Sequence, residues 1–159
     1  MQLLIMMGGI AIIGLLYWYG QRLRIMPVPT LPAARRRALG LMPRDAKVVV
    51  ELGSGWGGMT RRLRRAFPHA TVIAYERSIL PWTVARLSGP VIRGDIFAAD
   101  LTRADIVFCY LSPWHMAQLA PKFDAELKNG AHVVSVAFPV PGRTADAQDA
   151  SAYLYRYAK

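Results

Sequence analysis

Runs of β-branched and other apolar residues alternate along this sequence with segments whose apolar positions recur at helical spacing. The runs that predict buried strands cover residues 47–51, 71–75, 91–93, 105–111 and 132–138. Helices are predicted between them, at about residues 59–67, 81–87 and 116–127, and a short helix at 32–39 precedes the first strand. Strands that alternate with helices indicate an α/β domain built on a parallel sheet.

The C-terminal part of the chain departs from this alternation. Residues 143–150 are polar and predict a loop, whereas residues 151–158 alternate enough to predict one last strand, antiparallel at the sheet edge. The pattern therefore leaves room for a single strand after the fifth. Neither an internal repeat nor a second domain is visible, so we expect one domain over residues 47–159.

Residues 3–19 form an apolar run without any charge. Its length is at the lower end of what crosses a bilayer as a helix, about 17 to 25 residues. The aromatic residues at 17–19, followed by Arg22 and Arg24, are typical of a membrane interface. The alternatives are a signal peptide, which lacks its cleavage site here, and a core helix, which lacks its polar face. We expect a single-pass anchor over residues 1–24, with the domain on the cytoplasmic side, or the matrix side of a mitochondrion.

The formal net charge of the chain is +10, which favours an anionic partner. Seven basic residues between positions 22 and 47 stand against one acid, Asp45, so residues 25–46 form a basic connector. Next to a membrane helix, such a cluster favours binding to anionic lipid head groups. Nucleic acid is the competing partner, but the connector lacks interleaved aromatic residues that would stack bases, so we do not expect it.

The cysteine and histidine content bears on disulfides and on metal sites. Cys109 is the single cysteine, so a disulfide within the chain is impossible. The three histidines are scattered without ligand spacing. We therefore expect no metal site.

A glycine-rich turn follows the first predicted strand and offers two cofactor hypotheses. Gly53, Gly55 and Gly58 satisfy the dinucleotide pattern GxGxxG, in which a pyrophosphate lies on the next helix N-terminus. Gly53, Gly55 and Gly57 preceded by Glu51 satisfy ExGxGxG, which is typical of S-adenosylmethionine (SAM) binding. A carboxylate at the strand end repels a pyrophosphate but can hold the ammonium group of a methionine, directly or through water. The residue chemistry favours SAM.

Polar and aromatic residues also follow the other predicted strands. Glu76, some twenty residues after the glycines, is placed to accept both ribose hydroxyls, and its alternative is a surface acid that caps a helix. Asp95 is placed to accept from an adenine amino group, although Gly-Asp is also an ordinary turn. Ligands of open α/β sheets bind outside the carboxyl ends of the strands. The residues expected to line the methyl-transfer site after the fourth strand are Tyr110, Ser112, Pro113 and Trp114.

Six segments follow one another as in a group of small protein-lysine methyltransferases. They are MPVPT, ELGSGWGG, AYERSILP, VIRGDIF, DIVFCYLSP and LKNGAHVVSVAFPVP. The chain thus resembles, over residues 27–141, a family of archaeal broad-specificity enzymes and mitochondrial enzymes similar to the ATP synthase c-subunit lysine methyltransferase. The resemblance implies a Rossmann-like class I methyltransferase sheet of the seven-strand type. In this chain we expect that sheet to be shortened at its C-terminal edge and to be preceded by the N-terminal transmembrane helix.

The resemblance also implies roles for individual residues. The cofactor-binding set that we expect is Pro29, Thr30, Glu51, Gly53, Ser54, Gly55, Glu76, Arg77, Asp95 and Ile96. The set expected to form the lysine channel and the methyl-transfer site is Tyr110, Ser112, Pro113, Trp114 and Phe138. The chain departs from the family's GSGDGR at Trp56 and Gly58, where an acidic and a basic residue usually stand.

The resulting hypothesis is a membrane-anchored, SAM-dependent methyltransferase of lysines on membrane-associated proteins. Methylation of a small molecule, a lipid or a nucleic acid is the alternative, because the SAM half would look identical. Two other hypotheses are a NAD-type oxidoreductase and a SAM-binding membrane protein without catalytic activity, which Trp56 favours.

Overall fold

The computed structural model describes residues 32–158 together with Gly8, Gly9 and Gly14. The predicted anchor lies outside the described residues apart from these three glycines, and so do Arg22, Arg24, Pro29 and Thr30. Within the described part of the chain, no helix is both long and apolar enough to cross a membrane. The anchor and the roles of Pro29 and Thr30 stay predictions.

Seven strands form one sheet in the order β3-β2-β1-β4-β5-β7-β6. The strands are β1 (Val48–Leu52), β2 (Thr71–Glu76), β3 (Ile92–Arg93), β4 (Ile106–Cys109), β5 (His132–Val136), β6 (Ala147–Asp149) and β7 (Ala152–Arg156). The first five run parallel, and β7 pairs antiparallel with both β5 and β6. This mixed sheet confirms the predicted α/β Rossmann-like methyltransferase fold.

Four α-helices accompany the sheet in residues 32–158. They are α1 (Pro32–Leu41), α2 (Gly58–Ala66), α3 (Ile79–Ala85), which continues into a 3-10 turn at Arg86–Ser88, and α4 (Pro113–Glu126). A second 3-10 turn covers Ile96–Ala98. The prediction placed the start of α4 three residues too late, since Pro113 occupies the first helical turn, where proline's missing N–H costs no hydrogen bond.

Two hydrophobic clusters cover the two faces of the sheet. Because side chains alternate along a strand, Val49 of β1 faces α1 and α2, whereas Val50 and Leu52 face α4. Leu63 of α2 and Phe123 of α4 are fully buried, one on each face. The parallel strands are thus covered on both sides, as their continuous apolar runs require.

The expectation of a shortened C-terminal edge was wrong. Residues 143–150, predicted as a loop, contain β6, so the predicted last strand, β7, lies inside the sheet and not at its edge. Ala150, at φ 51° in the left-handed region, makes the tight turn between them. The residue pattern did not predict β6, because this strand has three residues, Ala-Gln-Asp, and two of them are exposed at the sheet edge.

The connection from β5 to β6 is short, since residues 137–146 contain no helix. Helix α1 packs on β5, β6 and β7. Arg37 of α1 pairs with Asp149 of β6, with Nε and Oδ1 3.6 Å apart. Helix α1 therefore covers the C-terminal edge of the sheet on one face.

Candidate active site

The carboxyl ends of β1 to β5 meet at one edge of the sheet, which we call the site edge. It has a β1–β3 half, formed by residues 53–58, 76–78 and 94–97, and a β4–β5 half, formed by residues 110–115 and 137–140. Every candidate residue inside the described part of the chain lies on, or directly behind, this edge.

The glycine turn is shaped by its backbone. The amide N–H groups of Gly53 and Ser54 both donate to the carbonyl of Tyr75, at 3.0 and 2.8 Å, so the turn is tied to the end of β2. Gly57 has φ 78°, and a Cβ added there would lie 2.8 Å from Cα of Ala85 in α3. Only glycine allows this conformation and this approach. The turn therefore fixes the spacing between β1, α2 and α3.

Glu76 connects the end of β2 with the glycine turn. Its Oε2 accepts from the Gly55 N–H at 2.8 Å, and its Oε1 accepts from the Ser78 N–H at 2.7 Å. The side chain is buried, but a carboxylate has about four lone-pair sites, so each oxygen can accept once more. Glu76 is thus held in place with capacity left for ligand hydroxyl groups.

Glu51 lies behind the site edge, on the sheet face under α2. Its exposed fraction is 1%, and the hydroxyl of Thr60 donates to Oε2 at 2.6 Å. Burial raises the pKa of Glu51 to about 7, against the opposing effects of Thr60, Arg64 and Arg35. A bridging water is therefore the more natural route from this carboxylate to a ligand ammonium.

Arg35 reaches the glycine turn from α1, a contact that the sequence did not predict. A Cβ at position 58 would lie 2.7 Å from its Nη1, so the guanidinium occupies the space beside Gly58. Its Nε is buried and has no hydrogen-bond partner among the residues described. The available signal was the glycine at 58, where the resembling family carries a basic side chain. In this chain, Arg35 brings the positive charge to that place from another helix.

The end of β3 carries the other predicted acid. Asp95 pairs with Arg77, with Oδ2 and Nη1 3.5 Å apart, and its Oδ1 accepts from the Phe97 N–H at 3.0 Å. Ile96 beside it is buried. These contacts bring the predicted residues Arg77, Asp95 and Ile96 together, with about two fifths of the Asp95 side chain open to solvent.

An aromatic cluster joins the two halves of the site edge. The rings of Phe97 and His115 are stacked with centroids 6.0 Å apart, and Trp114 meets both rings edge-on, at 5.9 and 5.0 Å. Nδ1 of His115 is 2.7 Å from Oγ of Ser112. His115 is buried, whereas Trp114 is 44% exposed. Ser112, Pro113 and Trp114 thus lie together directly after β4, and their roles in methyl transfer stay predictions.

Tyr110 and Phe138 occupy different surroundings. Tyr110 packs against the hydrophobic cluster under α1 and α2, and Phe138 is exposed after β5. Between β5 and Phe138, Ala137 has φ 69°, an unfavourable conformation for a residue with a side chain, and its N–H donates to the carbonyl of Ser151 at 2.7 Å. Such strain is typical of functional sites. Pattern reasoning missed Ala137 because alanine carries no signal for a left-handed turn.

The site edge has the chemistry that an adenosyl amino acid requires. Ser54 contributes a buried hydroxyl without a hydrogen-bond partner among the described residues. Acceptors are present in Glu76 and Asp95, and a cationic donor is present in Arg35. The residues of this half therefore fit SAM, the predicted cofactor.

Comparisons with known proteins agree with this geometry. The model of the family described as ANTKMT methyltransferase domain matches residues 51–147. An RNA methyltransferase from Salinibacter ruber, solved in complex with S-adenosyl-L-homocysteine, is 28% identical with a TM-score of 0.70, and the match covers 82% of this chain and 92% of that one.

Two further solved structures share the fold at lower identity. The precorrin-6y C5,15-methyltransferase from Geobacter metallireducens GS-15 is 22% identical with a TM-score of 0.59, covering 70% of this chain and 65% of that one. The mitomycin 7-O-methyltransferase MmcR is 16% identical with a TM-score of 0.55, covering 72% and 38%. Among curated proteins, no sequence matches the chain.

Proposed function

The chain belongs to the ANTKMT methyltransferase domain family, and from this premise we propose that it methylates lysine side chains of proteins. Its fold and domain are those of a SAM-dependent methyltransferase, and SAM is its cofactor. The family match carries the lysine proposal, because it includes residues 110–113 and 138–141, the two segments that resemble a lysine channel.

Four ionisable side chains in and behind the β1–β3 half would hold the cofactor. Glu76 would accept from the ribose hydroxyls and Asp95 from the adenine amino group. Arg35, beside the N-terminus of α2, would bind the methionine carboxylate, and Glu51 would reach the ammonium through water. When bound, SAM supplies a methyl group on a positively charged sulfur, and this sulfur leaves as a neutral thioether.

The β4–β5 half would prepare the amine. A lysine with a pKa of about 10.4 must lose its proton before its lone pair can attack. Exposed aromatic surface at Trp114 and Phe138 would cover the aliphatic stem and lower the amine pKa by desolvation. The Ser112 hydroxyl, held by His115, would accept a hydrogen bond from the neutral amine and so orient it.

A second candidate, RNA methylation, is favoured by one observation. The Salinibacter ruber structure, which covers 82% of this chain, is described as an RNA methyltransferase. The exposed aromatic side chains of Trp56 and Trp114 would then contact bases and not a lysine stem.

One experiment separates the two candidates. Membranes and RNA from a strain that lacks this chain would be incubated with the full-length protein and radiolabelled SAM. We expect label on protein, sensitive to protease and present as methyllysine after acid hydrolysis. The matched control is Gln118→Ala, an exposed change on α4 that should leave labelling unchanged. Label confined to RNA would replace the lysine proposal by the RNA one, and label confined to lipid would exclude both.

We also propose that residues 3–19 anchor the protein in a membrane, supported by the absence of charge in that run. The full chain should stay with membranes during carbonate extraction. A mature N-terminus near residue 27 would instead identify a cleaved signal peptide.

A further inference from the structure

After the basic connector, a second stretch of the chain is strongly basic. Residues 53–94 contain seven arginines and one acid, Glu76, which is buried. Residues 95–158 contain seven acids and five basic residues. The edge of the sheet that carries α2, α3 and β3 is therefore strongly positive, whereas the opposite edge has mixed charge, because α1 packs there and adds Arg35, Arg36 and Arg37.

Large aliphatic side chains are exposed on this positive edge. Leu80, Val84 and Leu87 follow one another at helical spacing on α3 and its 3-10 extension, and their exposed fractions are 56%, 41% and 86%. Ile79 and Ile92 are each 47% exposed beside them. We call these five residues the α3 surface. An apolar group of this kind on a soluble domain indicates an interaction site.

Arginines surround the α3 surface. Arg77, Arg86 and Arg93 belong to the same segment and are exposed. Arg64 of α2 donates to the carbonyls of Ser88 and Pro90, so α2 is fastened to the loop that follows α3. This contact joins the positive surface to α2, on which Arg61 and Arg65 are exposed. Within residues 32–158, Arg77 is the one of these five exposed arginines with an acidic group inside ion-pair distance, Asp95.

We propose that the α3 surface docks on an anionic lipid bilayer. Aliphatic side chains enter the acyl boundary, and the surrounding arginines contact negatively charged head groups. RNA fits the α3 surface less well, because single strands bind by stacking on open aromatic rings and the five residues of this surface are aliphatic. Trp82 beside them lies under the Arg86 guanidinium at 4.9 Å and donates its N–H to the Val91 carbonyl at 2.9 Å, and the exposed Trp56 belongs to the glycine turn.

The position of the α3 surface determines how docking would orient the domain. Ile79 follows Glu76 by three residues, so the apolar surface begins beside the β1–β3 half of the site edge. Docking would therefore hold the catalytic domain in one orientation, with its site edge next to the lipid surface. This orientation is independent of whether the methyl acceptor is a lysine.

The test uses the full chain in vesicles and a fluorophore on a single introduced cysteine, Leu87→Cys. Burial raises the pKa of the native Cys109 thiol to about 12, so that cysteine stays unlabelled. The matched control carries the label at Gln148→Cys, on β6 at the opposite edge. Vesicles of phosphatidylcholine, with and without phosphatidylglycerol, contain lipids with a nitroxide quencher on the acyl chain.

We expect strong quenching at position 87 in phosphatidylglycerol vesicles, little in phosphatidylcholine alone and little at position 148 in either. Changing Arg86 and Arg93 to Gln should weaken the docked state about fivefold for each charge removed. The proposal would be overturned if the label at position 87 were not quenched in anionic vesicles, or if it were quenched no more than the label at position 148. An RNA oligonucleotide that shields position 87 without any lipid would overturn it in favour of a nucleic-acid surface.

Discussion

The two halves of the site edge are built differently. In the β1–β3 half, buried acids and backbone amides hold one another, as in the bonds from Gly55 and Ser78 to Glu76. In the β4–β5 half, Trp114 and Phe138 are exposed, and aromatic contacts replace most of the hydrogen bonds. A cofactor common to many enzymes suits the β1–β3 half, which is the rigid half. A substrate that distinguishes one enzyme from another suits the β4–β5 half, which is the exposed half. The comparison predicts that binding and transfer can be impaired separately.

The largest effect is expected at Gly57, on which the rigid half depends. Gly57→Ala places a Cβ 2.8 Å from Cα of Ala85 in a left-handed conformation, so the free energy of unfolding should fall by about 3–4 kcal/mol and SAM binding should be lost. Thermal unfolding and calorimetry measure both. Gly40→Ala, with open space around it on α1, should be neutral or slightly stabilising, and an equal loss there would contradict the argument.

Glu51 should make stability depend on pH. Its folded pKa of about 7 lies above its ordinary value of 4.5, so the folded state holds the proton more tightly. The stability is therefore full below about pH 4.5 and falls as the pH rises to about 7. Glu51→Gln should match the parent at pH 4 and exceed it by up to about 3 kcal/mol at pH 8. Denaturant titrations that give the same difference at both pH values would exclude a raised pKa.

Glu76 and Asp95 should differ although both are predicted SAM contacts. Glu76→Ala leaves two backbone N–H groups without their acceptor, so SAM affinity should fall by about 2–3 kcal/mol. Asp95→Ala should cost about 1 kcal/mol because that side chain is two-fifths exposed. Asp100→Ala is the nearby control, since its carboxylate bonds to Thr102 at the surface. Equal losses at 76 and 95 would remove burial as the explanation.

Arg35 sharpens the comparison inside the rigid half. Arg35→Met keeps an unbranched apolar stem and removes the charged guanidinium, so affinity for S-adenosylhomocysteine should fall by about 1.5–2 kcal/mol. Affinity for 5′-methylthioadenosine, which lacks the amino-acid carboxylate, should not change. Arg36→Met, exposed on the same helix, serves as control. A parallel loss for both ligands would assign Arg35 a structural role.

Trp114 tests the exposed β4–β5 half, with an expected effect on methyl transfer and not on cofactor binding. Trp114→Ala should lower methyl transfer about tenfold, roughly 1.4 kcal/mol, and leave SAM affinity nearly unchanged. Trp114→Phe should restore part of the rate because a ring remains. Calorimetry run beside the transfer assay decides the matter. A drop in SAM affinity as large as that of Glu76→Ala would show that the two halves are not separable.

Most of the rigid β1–β3 half and of the parallel sheet could be predicted from the sequence. Apolar runs and a glycine turn are local signals, so β1 to β5, the turn and Glu76 could be predicted from neighbours in the chain. Arg35 could not, because it reaches Gly58 from a different helix, and the burial of Glu51 depends on Thr60 in α2. The strand β6 has too few residues for a pattern and owes its existence to pairing with β7.

The placement of α1 bears on how the molecule reaches its native state. The first helix of the described domain closes over β5, β6 and β7, the last three strands of the chain. Contacts between the two ends of a sequence form slowly, since a long loop must first be ordered. During synthesis, α1 can pack on β1 and α2 first, but it gains the rest of its surface only when the last strands leave the ribosome. Deleting either end would expose the same apolar interface to aggregation.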